Sequence, residues 1–425
     1  MYREEQLKAL LGKRKVVLAG YGREGRSTHA LLNRLCPDTE VVVADGNDEI
    51  QASLARDFDL VVKSPGVPMS VLNGRCPYSK ITSQSDIFLQ VYADRTIGVT
   101  GTKGKSTTAT LINHILSRNG LKTILAGNIG IPLLDIVPEM DADTVVVAEL
   151  SCHQLEAIGR APHVAVLLNL FEEHLDHYRD YLDYQMAKMQ IGLKQREGDH
   201  FFYSADNADL VARVAENRKD FKSELTPFSI DMAETSPVAA MPSPLQGRHN
   251  LSNAYVAKLV TALYGIDDDH FAAALASFAP LEHRMELVGT YGGVTYYNDS
   301  ISTIPAACIA AVQSLPNVET LIVGGFDRGI DYQPLADFLA ASTVRNIAFV
   351  GRAGERMASL LPPEALNRIN HIFANDYGQI VRWCAEVTRR GASCLLSPAA
   401  ASYDAFKNFE QRGTIFKQLV RSLQQ

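Results

Sequence analysis

The sequence lacks the features of zinc-cluster, disulfide-rich, secreted and membrane-spanning proteins. Its 425 residues include six cysteines, which are widely spaced and form no CxxC pair, so a zinc cluster or a disulfide scaffold is disfavoured and a reducing compartment is expected. No stretch of about 18 apolar residues is present, and the first residues contain no apolar signal core, which predicts a cytoplasmic protein without a membrane span.

The charge pattern disfavours a nucleic-acid-binding protein. Lysine and arginine are scattered without a basic run, and the net charge is −7, so we expect no nucleic acid among the partners. The composition, with 46% hydrophobic and 21% charged residues, is that of an ordinary soluble globular protein. Because single cores stop growing at roughly 250 to 300 residues, a chain of 425 residues is expected to contain several domains.

The first glycine-rich segment, Gly20-Tyr-Gly-Arg-Glu-Gly25, follows the apolar strand pattern at 15–20. A second strand pattern at 41–45 ends in Asp45. A G-x-G-x-x-G turn with an acidic residue about 20 positions later is the arrangement that holds the diphosphate and ribose of a nucleotide. We therefore predict a site for NAD or a UDP-like nucleotide, with a tight packing turn between helix and sheet as the alternative.

The second glycine-rich segment, Gly101–Thr107, also follows a strand pattern. Its glycines let backbone N–H groups turn toward a triphosphate, and Lys105 can reach the β and γ phosphates. The hydroxyl of Ser106 or Thr107 can bind Mg²⁺. Val99 stands where a standard Walker loop has glycine, so the pattern is a variant, and a glycine-rich turn without a ligand is the alternative.

Polar residues follow two later strand patterns. Glu149 comes after the pattern at 144–148, and Asn169 comes after the one at 164–168. Ligands of parallel α/β sheets gather beyond the carboxyl ends of the strands, so Glu149 is a candidate Mg²⁺ ligand, with a helix cap as the alternative. His174 lies in the acidic and imidazole-rich segment that follows, which fits either a cation site or the polar start of a helix.

Further strand patterns occur at 59–64 and, toward the C-terminus, at 294–297, 320–323 and 346–350. The last three alternate with alanine-rich helical patterns, which predicts three α/β domains in all. No internal repeat is found, and the proline-rich stretch 236–244 is expected to be a loop.

Two other residues are ambiguous when only their neighbours are considered. Lys188 lies in a helical pattern, where a solvated side chain is the usual outcome. Asn250 lies where a loop enters a helix and can either pair with an adenine edge or cap that helix.

Together, the motifs resemble the Mur ligase family over nearly the whole chain. The segments that resemble the family are, in order, Gly101–Thr107, Gly127-Asn128-Ile-Gly130, Glu149-Leu-Ser-Cys-His-Gln-Leu-Glu156, Glu173-His174-Leu-Asp176, Gly247-Arg-His-Asn250, Glu282-His-Arg284, Asn298-Asp299-Ser300, Gly324-Gly325 and Ser397-Pro-Ala-Ala-Ala-Ser402.

The resemblance implies three domains: a Rossmann-like domain at 1–92 for the uridine nucleotide, a P-loop ATPase-like domain with a mostly parallel sheet at 93–280, and a Rossmann-like domain at 281–425 that closes over the amino acid. The implied activity is ATP-dependent joining of glutamate to UDP-N-acetylmuramoyl-L-alanine through an acyl phosphate, in peptidoglycan precursor synthesis. D-glutamate is the expected enantiomer, and a monomer is expected.

The resemblance also assigns roles to individual residues. Those implied to bind ATP are Gly101, Thr102, Lys103, Gly104, Lys105, Ser106, Thr107, Asn250, Arg284 and Asp299. Those implied to bind the UDP substrate are Gly22, Arg23, Glu24, Gly25, Asp45, Gly66, Asn128 and His174. Two Mg²⁺ ions are implied, with Ser106, Glu149, His174 and a carbamylated Lys188 as ligands. Lys105 is implied to stabilise the acyl phosphate, and His174 is a candidate proton relay.

The implied glutamate site departs from the family pattern. Its matching residues are Ser300, Thr303, Arg328, Ser402 and Phe409. Where the family has Lys-Ala-Thr-Asn after Asp-Ser, this chain has Ile301–Ile304, and Arg328 stands where a lysine is common. An arginine fork can still hold a carboxylate with two hydrogen bonds.

Because the glutamate pocket is altered, an L-glutamate-adding member of the family is the first alternative. A folate polyglutamate synthase is another, although it lacks the leading domain that residues 1–92 predict. From other classes, an NAD-binding oxidoreductase would leave Lys105 and Ser106 unexplained, and a regulatory nucleotide-binding protein would release no phosphate.

Overall fold

A computed structural model describes residues 2–129, 131–174, 177–245, 247–279 and 282–423. Gly130 and Asp176, two positions of the family motifs, lie outside these ranges. Within them, sixteen strands form three sheets. The chain divides into two compact units, the first of Met1–Pro244 and Arg248–Phe278 and the second of Leu245–Gly247 and Ala279–Gln425. None of the described helices is long and apolar enough to cross a membrane.

The first sheet has the strand order β2-β1-β3-β4, and its described pairs are parallel. Apolar residues of β1 and β3 are buried on both faces, as expected for a parallel sheet covered by helices. Its elements are α1 Glu4–Leu11, β1 Lys15–Ala19, α2 Arg23–Leu35, β2 Glu40–Ala44, α3 Asn47–Leu54, β3 Leu60–Lys63, α4 Met69–Leu72, β4 Ile81–Ser83 and α5 Gln84–Tyr92.

The second sheet has the order β10-β9-β8-β5-β7-β6 and is parallel in its described pairs. Its elements are β5 Thr96–Thr100, α6 Lys105–Arg118, β6 Thr123–Gly127, β7 Val145–Glu149, α7 Cys152–Leu155, β8 Val164–Leu167, α8 Tyr181–Leu193, β9 His200–Ser204, α9 Ala208–Glu216, β10 Glu224–Phe228, α10 Ile230–Thr235, α11 Arg248–Ala262 and α12 Asp268–Ala276. Both of these sheets lie in the first unit.

The third sheet, in the second unit, has the order β11-β12-β16-β13-β14-β15. Strand β11 pairs antiparallel with β12, and the other described pairs are parallel. Its elements are β11 Glu286–Tyr291, β12 Val294–Asn298, α13 Pro305–Ser314, β13 Val318–Gly324, α14 Gln333–Ala341, β14 Asn346–Val350, α15 Gly351–Leu360, α16 Pro363–Arg368, β15 Asn370–Phe373, α17 Tyr377–Val387, β16 Ser393–Leu396 and α18 Phe409–Ser422.

The α/β prediction and each predicted strand are confirmed, whereas the boundaries at 92/93 and 280/281 stay a prediction. The stretch 236–244 was expected to be a loop, but it contains a 3₁₀ turn at Pro237–Ala240, which Pro237 favours at its first position. The hairpin from β11 to β12 was missed. Its signal was Gly292-Gly293, both at positive φ, between two strand patterns.

Candidate functional site

The loop after β1 makes the tight packing turn that was the alternative to a nucleotide site, and its role in nucleotide binding stays a prediction. Gly20 lies at φ 88°, and its carbonyl accepts a hydrogen bond from Ser64 Oγ at 2.8 Å. The carboxylate of Asp45 accepts one from the backbone N–H of Tyr21 at 3.0 Å, so the acidic residue braces the loop. A Cβ on Gly25 would lie 2.3 Å from the Gly20 carbonyl oxygen. The third glycine is therefore required for tight packing of α2 against β1.

This packing predicts that alanine destabilises the protein at one glycine of this loop and has little effect at another. Gly25→Ala should lower the free energy of unfolding by about 1 to 3 kcal/mol, because the new methyl overlaps a backbone oxygen that cannot move away freely. Gly22→Ala is the control, since a Cβ there meets nothing within 4 Å and its φ is −69°. Denaturant unfolding measures both, and equal stabilities would contradict the close packing.

A cavity of about 470 Å³ opens in front of this loop, a volume typical of small-molecule sites. Six of the eight residues predicted for the UDP substrate line it, namely Gly22, Arg23, Glu24, Asp45, Gly66 and Asn128. The other two, Gly25 and His174, are not among the lining residues that the structure describes. The geometry thus gathers most of that predicted set around a single cavity.

The segment Gly101–Thr107 connects β5 to α6 and begins the helix at Lys105. Gly101 and Gly104 have φ values of 150° and 87°, which only glycine adopts readily. Lys105 Nζ donates to the carbonyls of Gly101 and Thr102, each at 3.0 Å, so the lysine folds back over its own loop. Burial lowers the pKa of Lys105. An anionic phosphate arriving here would meet a desolvated cation, which strengthens the attraction.

Val99 has a structural reason to replace the Walker glycine. It lies inside β5, in register with Glu149 of β7 on one side and Val166 of β8 on the other, and is fully buried. The loop beyond it is braced by Asn169, whose amide exchanges hydrogen bonds with the Lys103 backbone at 2.8 and 3.1 Å. Asn169, expected to face a ligand, therefore shapes the loop.

Glu149 is the last residue of β7 rather than a residue just past it. Its side chain is 2% exposed. Oε1 accepts a hydrogen bond from Asn128 Nδ2 at 2.6 Å, whereas Oε2 is buried and has no hydrogen-bond partner among the described atoms. Asn128 also lines the cavity of the first sheet, so it connects that cavity to Glu149. Glu149 pairs with Val99, close to the start of the segment Gly101–Thr107, hereafter the phosphate loop.

Lys188 is not a solvated helix residue. It is 2% exposed on α8, and Nζ donates to the Gly101 carbonyl at 2.9 Å. Burial, and then the charge of Lys105, lower the pKa of Lys188 to about 7. Two amines therefore lie against the segment Gly101–Thr107, and the fully buried one, that of Lys188, is readily neutral.

His174 lies at φ 60° in the left-handed region, and its ring centroid is 4.9 Å from that of His153. His153 also lies 4.2 Å from the ring of His177. Burial, and then the two neighbouring imidazoles, lower the pKa of His153 to about 3. This histidine cluster therefore stays largely uncharged at its centre. Asn250 is buried in the first turn of α11, where Asn253 Nδ2 donates to its Oδ1 at 3.2 Å.

In the second unit, Asp299 directly follows β12 and is buried. It accepts hydrogen bonds from Met285 N at 3.1 Å and Ser397 Oγ at 2.7 Å, and burial raises its pKa to about 6. Arg284 lies between His283 and Met285, which have φ values of 64° and 45°, and its Nε is buried without a hydrogen-bond partner in the part of the chain that the structure describes. A site for an anion at Arg284 fits that unpaired donor.

The five residues predicted to contact glutamate also lie in the second unit, in three groups. Ser300 Oγ donates to the Phe409 carbonyl at 2.8 Å, which joins two of them. Arg328 Nη2 donates to the Thr303 carbonyl at 3.0 Å, and Arg328 is an exposed residue. Ser402 is buried, in the loop after β16. Their role in binding glutamate stays a prediction.

Comparison with known proteins adds to this geometry. The chain matches the model of the Mur ligase middle domain over residues 99–261. It is 36% identical over 387 residues to the UDP-N-acetylmuramoylalanine–D-glutamate ligase of Geotalea uraniireducens, with 86% of this chain and 83% of that relative covered. The chain belongs to the Mur ligase family.

This Mur ligase is also similar to two further proteins, one relative by sequence and one solved structure. The UDP-N-acetylmuramoyl-L-alanine–L-glutamate ligase of Salinispora tropica is 33% identical over 454 residues, which cover 96% of this chain and 97% of that relative. A crystal structure of MurF from Acinetobacter baumannii has the same fold, with a TM-score of 0.63 at 15% identity and 99% of both chains covered. The protein is an ATP-dependent, amide-bond-forming ligase, and the oxidoreductase alternative is set aside.

Two residues of this Mur ligase that make notable contacts in the structure were assigned no role from the sequence. Gln154 Nε2 donates to Glu24 Oε1 at 2.6 Å and so connects α7 to the segment Gly20–Gly25 of the first sheet. Burial raises the pKa of Glu24. Arg412 is the other omission, although its spacing with the buried residues Phe416 and Val420 placed it on the inner face of α18. A charged residue at such a position predicts a special role.

Proposed function

We propose that this Mur ligase joins D-glutamate to UDP-N-acetylmuramoyl-L-alanine with cleavage of ATP, in the cytoplasm and in peptidoglycan precursor synthesis. The observation that supports it best is the Asn128–Glu149 hydrogen bond, because it connects the cavity for a uridine nucleotide to the loop for ATP phosphates. On this proposal, a substrate whose nucleotide lies in the cavity extends toward the γ-phosphate with its far carboxylate. The name of the Geotalea uraniireducens relative supports the choice of substrates.

We further propose the three-part division at 1–92, 93–280 and 281–425, with the uridine nucleotide, ATP and glutamate assigned to the parts in that order. The cavity lined by Gly20–Glu24 supports the first assignment, and the loop at Gly101–Thr107 supports the second. The third rests on Ser300, Ser402 and Phe409, which lie beyond or beside the carboxyl ends of β12 and β16.

The residues near the phosphate loop fit Mg²⁺. In the described ranges, no group of three or more His, Cys, Asp or Glu side chains is arranged to hold a metal alone. Mg²⁺ bound to substrate phosphates needs only one or two protein carboxylates, and the unpartnered Oε2 of Glu149 is such a ligand. Ser106, Glu149, His174 and a carbamate on Lys188 are the proposed ligands. When bound, Mg²⁺ would neutralise phosphate charge.

The proposed chemistry has two steps. An oxygen of the alanyl carboxylate attacks the γ-phosphorus while the bond from that phosphorus to the β–γ bridging oxygen breaks, and ADP leaves. The amine of glutamate then attacks the acyl carbon, inorganic phosphate leaves, and the nitrogen loses a proton, for which His174 is the candidate relay. Phosphorylation is needed because an ionised carboxylate is a poor acyl donor, and the desolvated Lys105 stabilises negative charge as it develops.

L-glutamate is the second candidate acceptor, and a specific observation favours it. The segment Ile301–Ile304 lacks the lysine that the family pattern has after Asp-Ser, and the Salinispora tropica relative, at similar identity, is named for L-glutamate. A pocket built for the other enantiomer would have to differ at this position.

Phosphate release from ATP with UDP-N-acetylmuramoyl-L-alanine and either enantiomer tests the proposal. We expect phosphate release to require both the UDP substrate and glutamate, and to be faster with D-glutamate than with L-glutamate. Faster release with L-glutamate would transfer the proposal to the second candidate. If neither enantiomer supports release, the proposed function is wrong.

A further inference from the structure

Arg412 of α18 is buried in an unusual way. It is 1% exposed, and its hydrogen bonds in the described structure all go to neutral oxygens. Nε donates to Ser300 Oγ at 2.9 Å, and the terminal nitrogens donate to the carbonyls of Ser300, Ala400 and Ala401 at 2.8 to 3.2 Å. The Tyr377 hydroxyl and then the Asp404 carboxylate also stabilise this charge, but Asp404 accepts none of those hydrogen bonds. Buried arginines are normally paired with carboxylates, so this arrangement needs a reason.

The guanidinium lies where the carboxyl ends of three adjacent strands meet. Ser300 follows β12, Gly325 follows β13, and Ala400 and Ala401 follow β16, and the order in the sheet is β12-β16-β13. A Cβ on Gly325 would lie 3.2 Å from a terminal nitrogen of Arg412 and 2.3 Å from the Ala401 carbonyl oxygen. Only glycine leaves room for the fork here. Parallel sheets bind their ligands at this edge.

The contacts of Arg412 include or adjoin three of the residues proposed to bind glutamate. Ser300 is a direct acceptor at both its hydroxyl and its carbonyl. The same Ser300 hydroxyl donates a hydrogen bond to the Phe409 carbonyl, and Ala401 directly precedes Ser402 in the chain. One side chain therefore fixes the relative positions of Ser300, Ser402 and Phe409.

We propose that Arg412 is a positioning residue for the acidic amino-acid acceptor. This inference rests on the proposed function and extends it. The fork holds the backbone at Ser300 and at 400–401 in a fixed arrangement, and the charge, which has no hydrogen-bonded carboxylate, attracts the carboxylate of an acceptor to this edge of the sheet. In a site shielded from water, such an attraction is stronger than at the surface. It compensates in part for the lysine that is absent at Ile301.

Two variants test the role. Arg412→Lys keeps the charge and loses the fork, and Arg412→Gln loses the charge. Arg421→Gln is the matched control, because Arg421 lies exposed on the same helix. The KM values for glutamate, ATP and the UDP substrate are measured by phosphate release. We expect the KM for glutamate to rise about ten- to a hundredfold, with the larger rise in Arg412→Gln, and the other two KM values to change by less than about twofold.

A merely structural role would give a different result. If the three KM values change together, or if activity falls in proportion to the folded fraction seen in thermal unfolding, the inference is wrong. Should Arg412→Gln fail to fold, Arg412→Lys supplies the same comparison. Calorimetric titration of glutamate separates this test from the test of the proposed function. Weaker binding to the variant than to the wild type supports the role of Arg412 even without turnover. Equal or undetectable binding in both proteins overturns the role of Arg412.

Discussion

Lys105→Met is expected to lower the rate of phosphate release about a hundred- to a thousandfold, the effect of removing one well-placed donor to a developing charge. Lys105 Nζ already lies against the loop, 3.0 Å from the carbonyls of Gly101 and Thr102. Desolvation of the amine lowers its pKa, and the same desolvation leaves little water to compete with a phosphate for it. Methionine keeps the length and packing of the stem and removes the donor.

The control for this variant is Lys122→Met. Lys122 is at the surface, where it pairs with Asp141, and its loss should leave phosphate release within about twofold of the wild type because such pairs contribute little. Thermal unfolding shows that both variants are folded. If Lys105→Met retains more than about a tenth of the wild-type rate, Lys105 does not stabilise the transferred phosphate, and the loop binds nucleotide without this function.

The sequence was most informative where backbone geometry dictates residue type. Gly101 and Gly104 occupy φ values that exclude most other residues, and Gly25 has no space for a Cβ, so these positions are visible as motifs. The three-sheet α/β architecture follows from apolar runs between glycine turns. Strands such as Ile81–Ser83 were missed because three residues give no periodic signal.

The sequence was least informative where contacts join distant segments. Nothing near Lys188 indicates that its amine meets the Gly101 carbonyl, 87 positions away, and nothing near Asn128 indicates its bond to Glu149. Only tertiary packing creates these pairs. The family resemblance supplied candidates for such positions residue by residue, but it gave no reason for Arg412, whose role depends on three strand ends that meet only in the folded unit.

Lys188→Ala should slow phosphate release at least about a hundredfold, because a ligand of the phosphate-bound Mg²⁺ would be lost. The geometry supports carbamylation of the wild-type amine: Nζ is buried, has no carboxylate partner among its described contacts, and lies 2.9 Å from the Gly101 carbonyl at the phosphate loop. A lowered pKa of about 7 leaves much of the amine neutral at physiological pH, and only a neutral nitrogen can attack CO₂. The new N–C bond forms as the nitrogen loses a proton.

Carbamylation can be separated from a simple structural role of Lys188. Added bicarbonate should not restore Lys188→Ala, and Lys194→Ala, at the exposed end of the same helix, should behave as the wild type. In ¹³C spectra with labelled bicarbonate, we expect a carbamate carbon in the wild type and in Lys194→Ala that is absent in Lys188→Ala. Because neutral amine increases as pH rises through about 7, this signal should grow over that interval. Full activity in Lys188→Ala, or a wild-type spectrum without the signal, would leave the buried lysine as a loop-bracing donor to Gly101.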